Sequence, residues 1–410
     1  MAKVKNLISY KILDANGYWA VQAKLVLDTK SAIKASLPLM SDALVNPDDN
    51  WQMANKMIKQ LNEIILPALM DLEIENDFAL VADELLDQLK LKHKILSQTS
   101  LLTSILCARA GAKVNKIKLY KYLNQIYGLN QDIYNLPTPI FNMFNGGLYA
   151  DTNLDFEEYL LIPLTKSKTS FTQKVFNASK VFQQLGEVLK KEGLDTDTGS
   201  EGGYAPDMTS SIKAIEYIAQ AITESGFDLG KDMGIGLDIG SNRLYSPDQG
   251  KYIFKLDNSQ FVNDTLINLY REWLEQYPIV YLEDGLNSHD KEGWQSLTNQ
   301  LRDDMIIAGD HLFDNNIEDL RKMLKDRLAN AAVIKLDKFR TLQDLIEFVK
   351  LAKKHNYLIV MSHSYGETTD SFLSDLAVGT GADYIKAGSL SRGERTVKYN
   401  RLLEIEQTLV

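Results

Sequence analysis

The sequence predicts an α/β protein, a β/α barrel preceded by a smaller α+β domain, and three observations predict it. From about residue 230 onward, short apolar runs alternate with amphipathic segments, the rhythm of strands joined by crossover helices. Three β-rich stretches separated by turn signals open the chain. Between the two patterns the paired prolines of Asn135-Leu-Pro-Thr-Pro139 interrupt helix and strand alike. A capping domain over 1–133 and a catalytic barrel over 134–410 are expected.

The opening stretches are Leu7–Leu13, Ala20–Leu27 and Ala32–Leu39, and the breaks Ala15-Asn16-Gly17 and Asp28-Thr29-Lys30 suit hairpin turns. They read as a three-stranded antiparallel meander. Trp51, Ala54, Met57, Ile58, Leu61, Ile64 and Ile65 then recur at helical spacing, as do Leu101, Leu102, Ile105 and Ala108, so helices should cover the meander. In the second half the strand candidates are Met233–Ile239, Ile279–Leu282, Met305–Ala308, Ala332–Leu336, Leu358–Met361 and Asp383–Ala387, and Phe261–Glu275, Ile317–Lys325 and Leu342–Lys353 read as helices. Each strand candidate carries a charged or imidazole group near its C-terminal end: Asp238, Glu283, Asp310, Lys335, His363 and Lys386 in turn. In a closed parallel barrel those ends meet at one mouth, where active sites are built.

Composition narrows the function. A net charge of −10 and a pI near 5.2 argue against a surface that coats nucleic acid or binds anionic membrane, because the field of the whole molecule repels phosphate. One cysteine, Cys107, excludes an internal disulfide, a Cys-rich zinc site and an iron–sulfur cluster. The N-terminal stretch turns polar by Ser9 and Lys11 and lacks the apolar core of a signal peptide. No apolar run approaches the roughly 20 residues that span a bilayer, so a cytoplasmic protein is expected. P-loop, Gly-x-Gly-x-x-Gly, His-Glu-x-x-His and nucleophile-elbow patterns are absent from the sequence.

Asp238, Glu283 and Asp310 come from separate strands, so facing one another they need protons or a cation. Local pairing with Lys or Arg is one answer. A hard divalent ion is the other, and oxygen-only ligation favours magnesium or manganese over zinc. Lys335 and Lys386 would share the mouth; beside another cation and a metal, the pKa of Lys335 should fall until its amine can accept a proton. Abstraction of a proton next to a carboxylate, with the metal stabilising the enediolate, suits this set. Two glycine-rich segments, Phe144-Asn145-Gly146-Gly147 and Gly199-Ser200-Glu201-Gly202-Gly203, read as flexible polar turns. The second presents Glu201, a candidate acid whose pKa a neighbour such as Glu158 could raise.

At these residues the sequence resembles the enolase family, the magnesium-dependent phosphopyruvate hydratases of glycolysis, over nearly all of the chain from about Ile8 to Glu406. The matching stretches are Leu136–Asn142 with Asn145-Gly-Gly147, Gly199–Pro206, Tyr277–Leu286, Ser362-His363 with Gly366-Glu-Thr368, Asp375–Gly379 and Ile385–Gly388. The resemblance implies a barrel whose first strands and helices are irregular. It implies Asp238, Glu283 and Asp310 as principal Mg2+ ligands, Lys335 as base and Glu201 as acid, with Glu158, His363 and Lys386 at further active-site positions. Tyr149, Glu157, Ser364 and Tyr365, together with Lys386, stand where substrate would be held. The implied reaction is the reversible dehydration of 2-phosphoglycerate to phosphoenolpyruvate, through an enediolate held on two magnesium ions.

The sequence departs from the family pattern at the substrate end. The family's mobile Ser-Gly-Ala-Ser-Thr-Gly loop is replaced by the shorter Leu37–Asn46 segment, Ser-His by Leu148-Tyr149, Gln-Glu by Glu157-Glu158, and the Asp of Gly-Asp-Glu-Gly-Gly by Ser200. Asp-Asp becomes Asp310-His311, Lys-x-Asn-Gln becomes Lys335-Leu-Asp337-Lys338, and the phosphate-gripping His-Arg-Ser becomes His363-Ser364-Tyr365. Loss of a bidentate Arg–phosphate contact weakens such binding by on the order of 2 to 4 kcal/mol, unless Lys338 or Arg243 compensates. Three readings therefore stand at this point: phosphopyruvate hydratase, a related lyase for another carboxylate or a phosphonate, and an inactive enolase-like binding protein. The expected partner is a small carboxylate, phosphorylated in the first reading, with neither nucleic acid nor membrane. Gln22 and Glu404 replace the family's interface pair and leave a homodimer open.

Overall fold

The computed structural model describes residues 2–39, 46–70, 72–131, 133–164, 169–313 and 316–409. Most of the altered loop between Leu37 and Asn46, residues 40–45, lies outside the described residues. The meander is present: β1 (Ala2–Leu13), β2 (Trp19–Leu27) and β3 (Ala32–Pro38) pair antiparallel, and a two-residue strand, β4 (Glu73–Ile74), adds to the start of β1. Along β2, Ala23, Leu25 and Leu27 are buried while the residues between them are half-exposed, the period-2 pattern of a sheet with one covered face. Helix Pro47–Gln60, capped by the Asn46 side chain, and helix Ser97–Val114 cover that face. Ser97–Val114 is buried almost all round because it also meets the barrel: Ser104 Oγ accepts the Leu342 N–H at 3.1 Å.

The second half closes into an eight-stranded barrel. Its strands are β5 (Thr138–Asn145), β6 (Glu158–Pro163), β7 (Met233–Asp238), β11 (Ile279–Glu283), β12 (Ile306–Gly309), β13 (Ala331–Lys335), β14 (Leu358–Ser362) and β15 (Tyr384–Lys386), in that order around the ring. A small antiparallel sheet, β8 (Tyr245–Ser246), β9 (Lys251–Phe254) and β10 (Ser259–Phe261), is inserted after β7. All six strands expected after residue 230 are found within a residue or two, and helices Asn263–Gln276, Ile317–Asp326 and Leu342–Lys354 lie where periodicity put them. Ile140, Leu160, Ile162, Tyr281, Ala308, Ala331, Val333 and Val360 fill the interior, so the barrel is a packed core with no pore.

β5 and β6 had no strand signal in the sequence. Every residue of β6 and all but the first of β5 are buried, so no alternation marks them, and Pro, Asn and Glu within them weaken β propensity. β6 also runs antiparallel to both neighbours, the irregular start that the resemblance implied. The meander docks on the barrel through its first hairpin tip. There Ala15 N–H donates to Glu367 O at 2.8 Å and Asn16 Nδ2 to Tyr365 O at 3.1 Å. Arg109 binds both oxygens of Asp370 at 2.8 and 2.6 Å. Among the described residues no helix is long and apolar enough to cross a membrane.

Candidate active site

Backbone register brings the charged groups to one level. Because β6 is reversed, its first residue Glu158 lies at the mouth where the other strands end. Glu158 pairs with Asp238 and Asp238 with Glu283, while Lys335 pairs with Ser362 and Ser362 with Lys386. Directly paired residues project from the same face of a sheet, so the three carboxylates share one side.

Lys386, 2 % exposed, donates from Nζ to Glu158 Oε2 at 2.6 Å, Asp238 Oδ2 at 2.8 Å and Glu283 Oε1 at 2.9 Å. Burial works against its ammonium, but Asp238, Glu158 and Glu283 outweigh burial and hold its pKa well above the usual lysine range. One ammonium does not satisfy three acids. Burial pushes Glu158 up to about 7 despite Lys386, and burial with Asp238 nearby pushes Glu283 well above the carboxylate range. Tyr281 donates its hydroxyl to Glu283 Oε2 at 2.5 Å.

Asp310 engages Lys335 in an ion pair. Burial alone would raise the Asp310 pKa, yet Lys335 and His311 bring it down to about 2. Burial disfavours the Lys335 ammonium, but Asp310 overrides burial and raises its pKa; the expected depression was for a lysine beside a metal as well as a second cation. Asp284 holds the turn beyond β12, accepting Asp310 N–H at 2.9 Å, His311 N–H at 3.2 Å and binding His311 Nδ1 at 2.6 Å. That last bond pushes His311 up to about 10.

Glu201 lies on the expected turn, where Gly202 N–H donates to Gly199 O at 3.1 Å, and the turn is buried. Glu201 itself is 1 % exposed, with Oε1 2.6 Å from His363 Nε2, while His363 Nδ1 lies 3.1 Å from Lys386 O. Burial holds the His363 pKa well below the usual imidazole value. Asn142 Nδ2 ties the acids together, donating to Glu158 Oε1 at 2.6 Å and Glu201 Oε2 at 3.3 Å. The glycines allow this close packing: a Cβ on Gly203 would sit 2.3 Å from Asn142 Oδ1. Gly147, at φ +57°, would likewise meet Arg243 Nη2 at 2.9 Å and Glu157 Cγ at 3.1 Å.

Of the four expected substrate-binding residues outside the lysine cluster, Glu157 and Ser364 are buried and Tyr149 and Tyr365 half-buried. Tyr149 and Tyr365 stack with centroids 5.7 Å apart. Glu157, 8 % exposed, is pushed up to about 7 by burial and Asp238. Ser364 donates its hydroxyl to Asp337. Arg243 spends a guanidinium N–H on the Asp155 carbonyl.

Asp238 and Glu283, which end neighbouring strands, and Asp310, directly after the next strand, offer only oxygen donors and already gather ammonium charge. That donor set fits a hard divalent cation. Among the described residues, the groups whose ligand atoms lie within 4.8 Å of one another are Glu158, Glu201 and His363, and Asp284, Asp310 and His311; the expected trio Asp238, Glu283 and Asp310 is not among them.

Residues 133–410 match the family model described as "Enolase, C-terminal TIM barrel domain". The whole chain is also similar to the enolase of Ehrlichia ruminantium (strain Welgevonden), with 34% identity over 421 residues, covering 99% of this chain and 97% of that protein. The chain belongs to the enolase family. It is an enolase-type lyase by that membership, and membership suggests a divalent metal at the mouth. Asn142 and Asp284 are the site residues that sequence reasoning passed over. Both lay inside stretches that resemble enolases, but an amide or acid whose work is to hold other side chains has no spacing signal of its own.

Proposed function

We propose that the chain catalyses the magnesium-dependent, reversible elimination of water from a carboxylate with an α-hydrogen and a β-hydroxyl. 2-Phosphoglycerate and phosphoenolpyruvate are the substrate pair that family membership suggests. The observation that carries this reading is that the same mouth gathers the amines of Lys335 and Lys386, the acid Glu201 and three carboxylates.

In this reading Asp238, Glu283 and Asp310 would hold magnesium, which when bound would supply positive charge that acidifies the α-proton of a carboxylate. Lys335 takes that proton. It becomes a base only when the charge of Asp310 is engaged elsewhere, because the ion pair is what keeps it protonated. Glu201, oriented by His363 and Asn142, delivers a proton to the departing hydroxyl, and Lys386 holds the substrate carboxylate. Tyr149, Glu157, Ser364 and Tyr365 bound the substrate. The reading also takes 1–133 as a cap on a catalytic unit 134–410 and a small molecule as partner, in the cytoplasm. It leaves pairing of two chains open.

The test is phosphoenolpyruvate formation from 2-phosphoglycerate with magnesium, alongside α-hydrogen exchange in D2O followed by NMR. Absence of magnesium-dependent exchange in both 2-phosphoglycerate and unphosphorylated glycerate would overturn the proposal.

A further inference from the structure

Arg395 is a buried guanidinium between the segments that carry Glu201 and His363. It lies on the helix Gly393–Glu406 and is 0 % exposed. Nη1 donates to Ser364 O at 3.2 Å, and Nη2 donates to Ser200 O at 3.3 Å and Tyr365 O at 3.1 Å. Ser200 immediately precedes Glu201, and Ser364 immediately follows His363. The side chain reaches them past Gly388, where a Cβ would sit 2.7 Å from Arg395 Cδ and 2.9 Å from Glu201 O.

Among the described residues no carboxylate binds this cation closely. Its ion-pair contact is Glu394 Oε1, 3.6 Å from Nε, and that oxygen already accepts from Arg392 Nε at 2.9 Å. Nε itself is buried without a hydrogen-bond partner.

We propose that Arg395 is a positioning residue, which fixes the Glu201–His363 pair by joining the backbone ahead of the acid to the backbone after the imidazole. A planar fork suits that task, because it holds carbonyls of two separate segments in set directions and a single ammonium does not.

The charge acts on the same pair. His363 Nδ1 stands 3.1 Å from Lys386 O, so a proton belongs on Nδ1, and Nε2 stands 2.6 Å from Glu201 Oε1. Two states satisfy this arrangement: an imidazolium beside a carboxylate, or a neutral ring whose Nε2 accepts from a protonated Glu201. Only the second leaves the acid its proton. Burial and then Arg395 disfavour the imidazolium, with Lys386 on their side and Glu158 and Glu367 opposed.

Nitrogen NMR of the full-length protein with isotope-labelled histidines, assigned with His363→Gln, reads the ring. Wild type should show a neutral His363 with its proton on Nδ1 at pH 7. Arg395→Gln should let the ring take a second proton at higher pH than in wild type, whereas Arg395→Lys, which keeps the charge and loses the fork, should leave it neutral. The inference rests on the lyase reading for its effect on turnover of 2-phosphoglycerate with magnesium. There both variants should lower kcat by about 10- to 100-fold at a KM within about twofold of wild type. Arg401→Gln, which loses the ion pair to Asp375 from the same helix, should cost stability without either change. A charged His363 or an Nε2-bound proton in wild type, an unchanged titration in folded Arg395→Gln, an undiminished kcat in Arg395→Lys, or an equal fall in kcat in Arg401→Gln overturns the inference. Should wild type neither turn over nor exchange the α-hydrogen, the lyase reading fails, and the His363 spectra still decide the role of Arg395.

Discussion

Lys386 and Glu283 face each other across the full width of the barrel. Their strands, β15 and β11, are four apart in a ring of eight, yet Lys386 Nζ lies 2.9 Å from Glu283 Oε1. The ammonium thus stands on the barrel axis at the mouth, and three acids from strands next to one another converge on it.

Removing that ammonium should be costly. Lys386→Ala leaves Glu158, Asp238 and Glu283 buried without their shared counter-charge, a loss of about 3 to 5 kcal/mol in the metal-free protein. Magnesium should restore part of it. Urea unfolding with and without magnesium reads both effects, and equal stability of variant and wild type in chelator would refute the hub.

Magnesium should raise the melting temperature of wild type and chelation should reverse the rise, by the mass action of a ligand that binds only the folded state. Asp238→Asn and Glu283→Gln should each remove most of the shift. A shift retained in both variants would place the cation elsewhere.

The metal-free protein should lose stability as pH rises from 4.5 to 7. Glu157 and Glu158 start from an unfolded value near 4.5 and stand at about 7 in the fold. A carboxyl raised on folding stabilises fully below its unfolded value, and that contribution disappears as pH climbs through the folded one. Each amounts to on the order of 3 kcal/mol, about 6 for the two together. Asp310, lowered to about 2, and His363, held by burial well below the usual imidazole value, act in the opposite direction, Asp310 only below about pH 4 and His363 below about pH 6.5. Denaturation at pH 5 and pH 8 should therefore differ in the stated sense, and Glu157→Gln should flatten the slope.

Lys335→Ala and Glu201→Gln should separate the two proton transfers. Lys335→Ala should abolish α-deuterium exchange and lower turnover by about 10²- to 10⁴-fold. Glu201→Gln should lower turnover comparably while exchange persists. Equal loss of exchange in both variants would contradict the division of roles.

Much of this was legible in the order of residues. A strand ends where its apolar run meets a charge, so Asp238, Glu283, Lys335 and Lys386 could be placed at one mouth from local pattern and barrel geometry alone. Glu158 could not. Its strand is buried on both faces and carries no alternation, and nothing local says that β6 enters from the mouth. Glu201 read as part of a flexible polar turn because glycines signal turns, and the turn is there. Its burial was not legible: the glycines also remove side chains so that backbone can press against Asn142 and Asn145.

The chain's linear pattern was enough to establish the class of fold, the identities of the acids and amines, and their positions near strand ends, because apolar periodicity and strand termini are local properties. Which charge answers which is a tertiary matter. Lys386 donates to three acids at once and Lys335 is kept protonated by Asp310 because closing the ring brings residues distant in sequence within 3 Å of each other, and both burial and Coulomb attraction depend on that proximity.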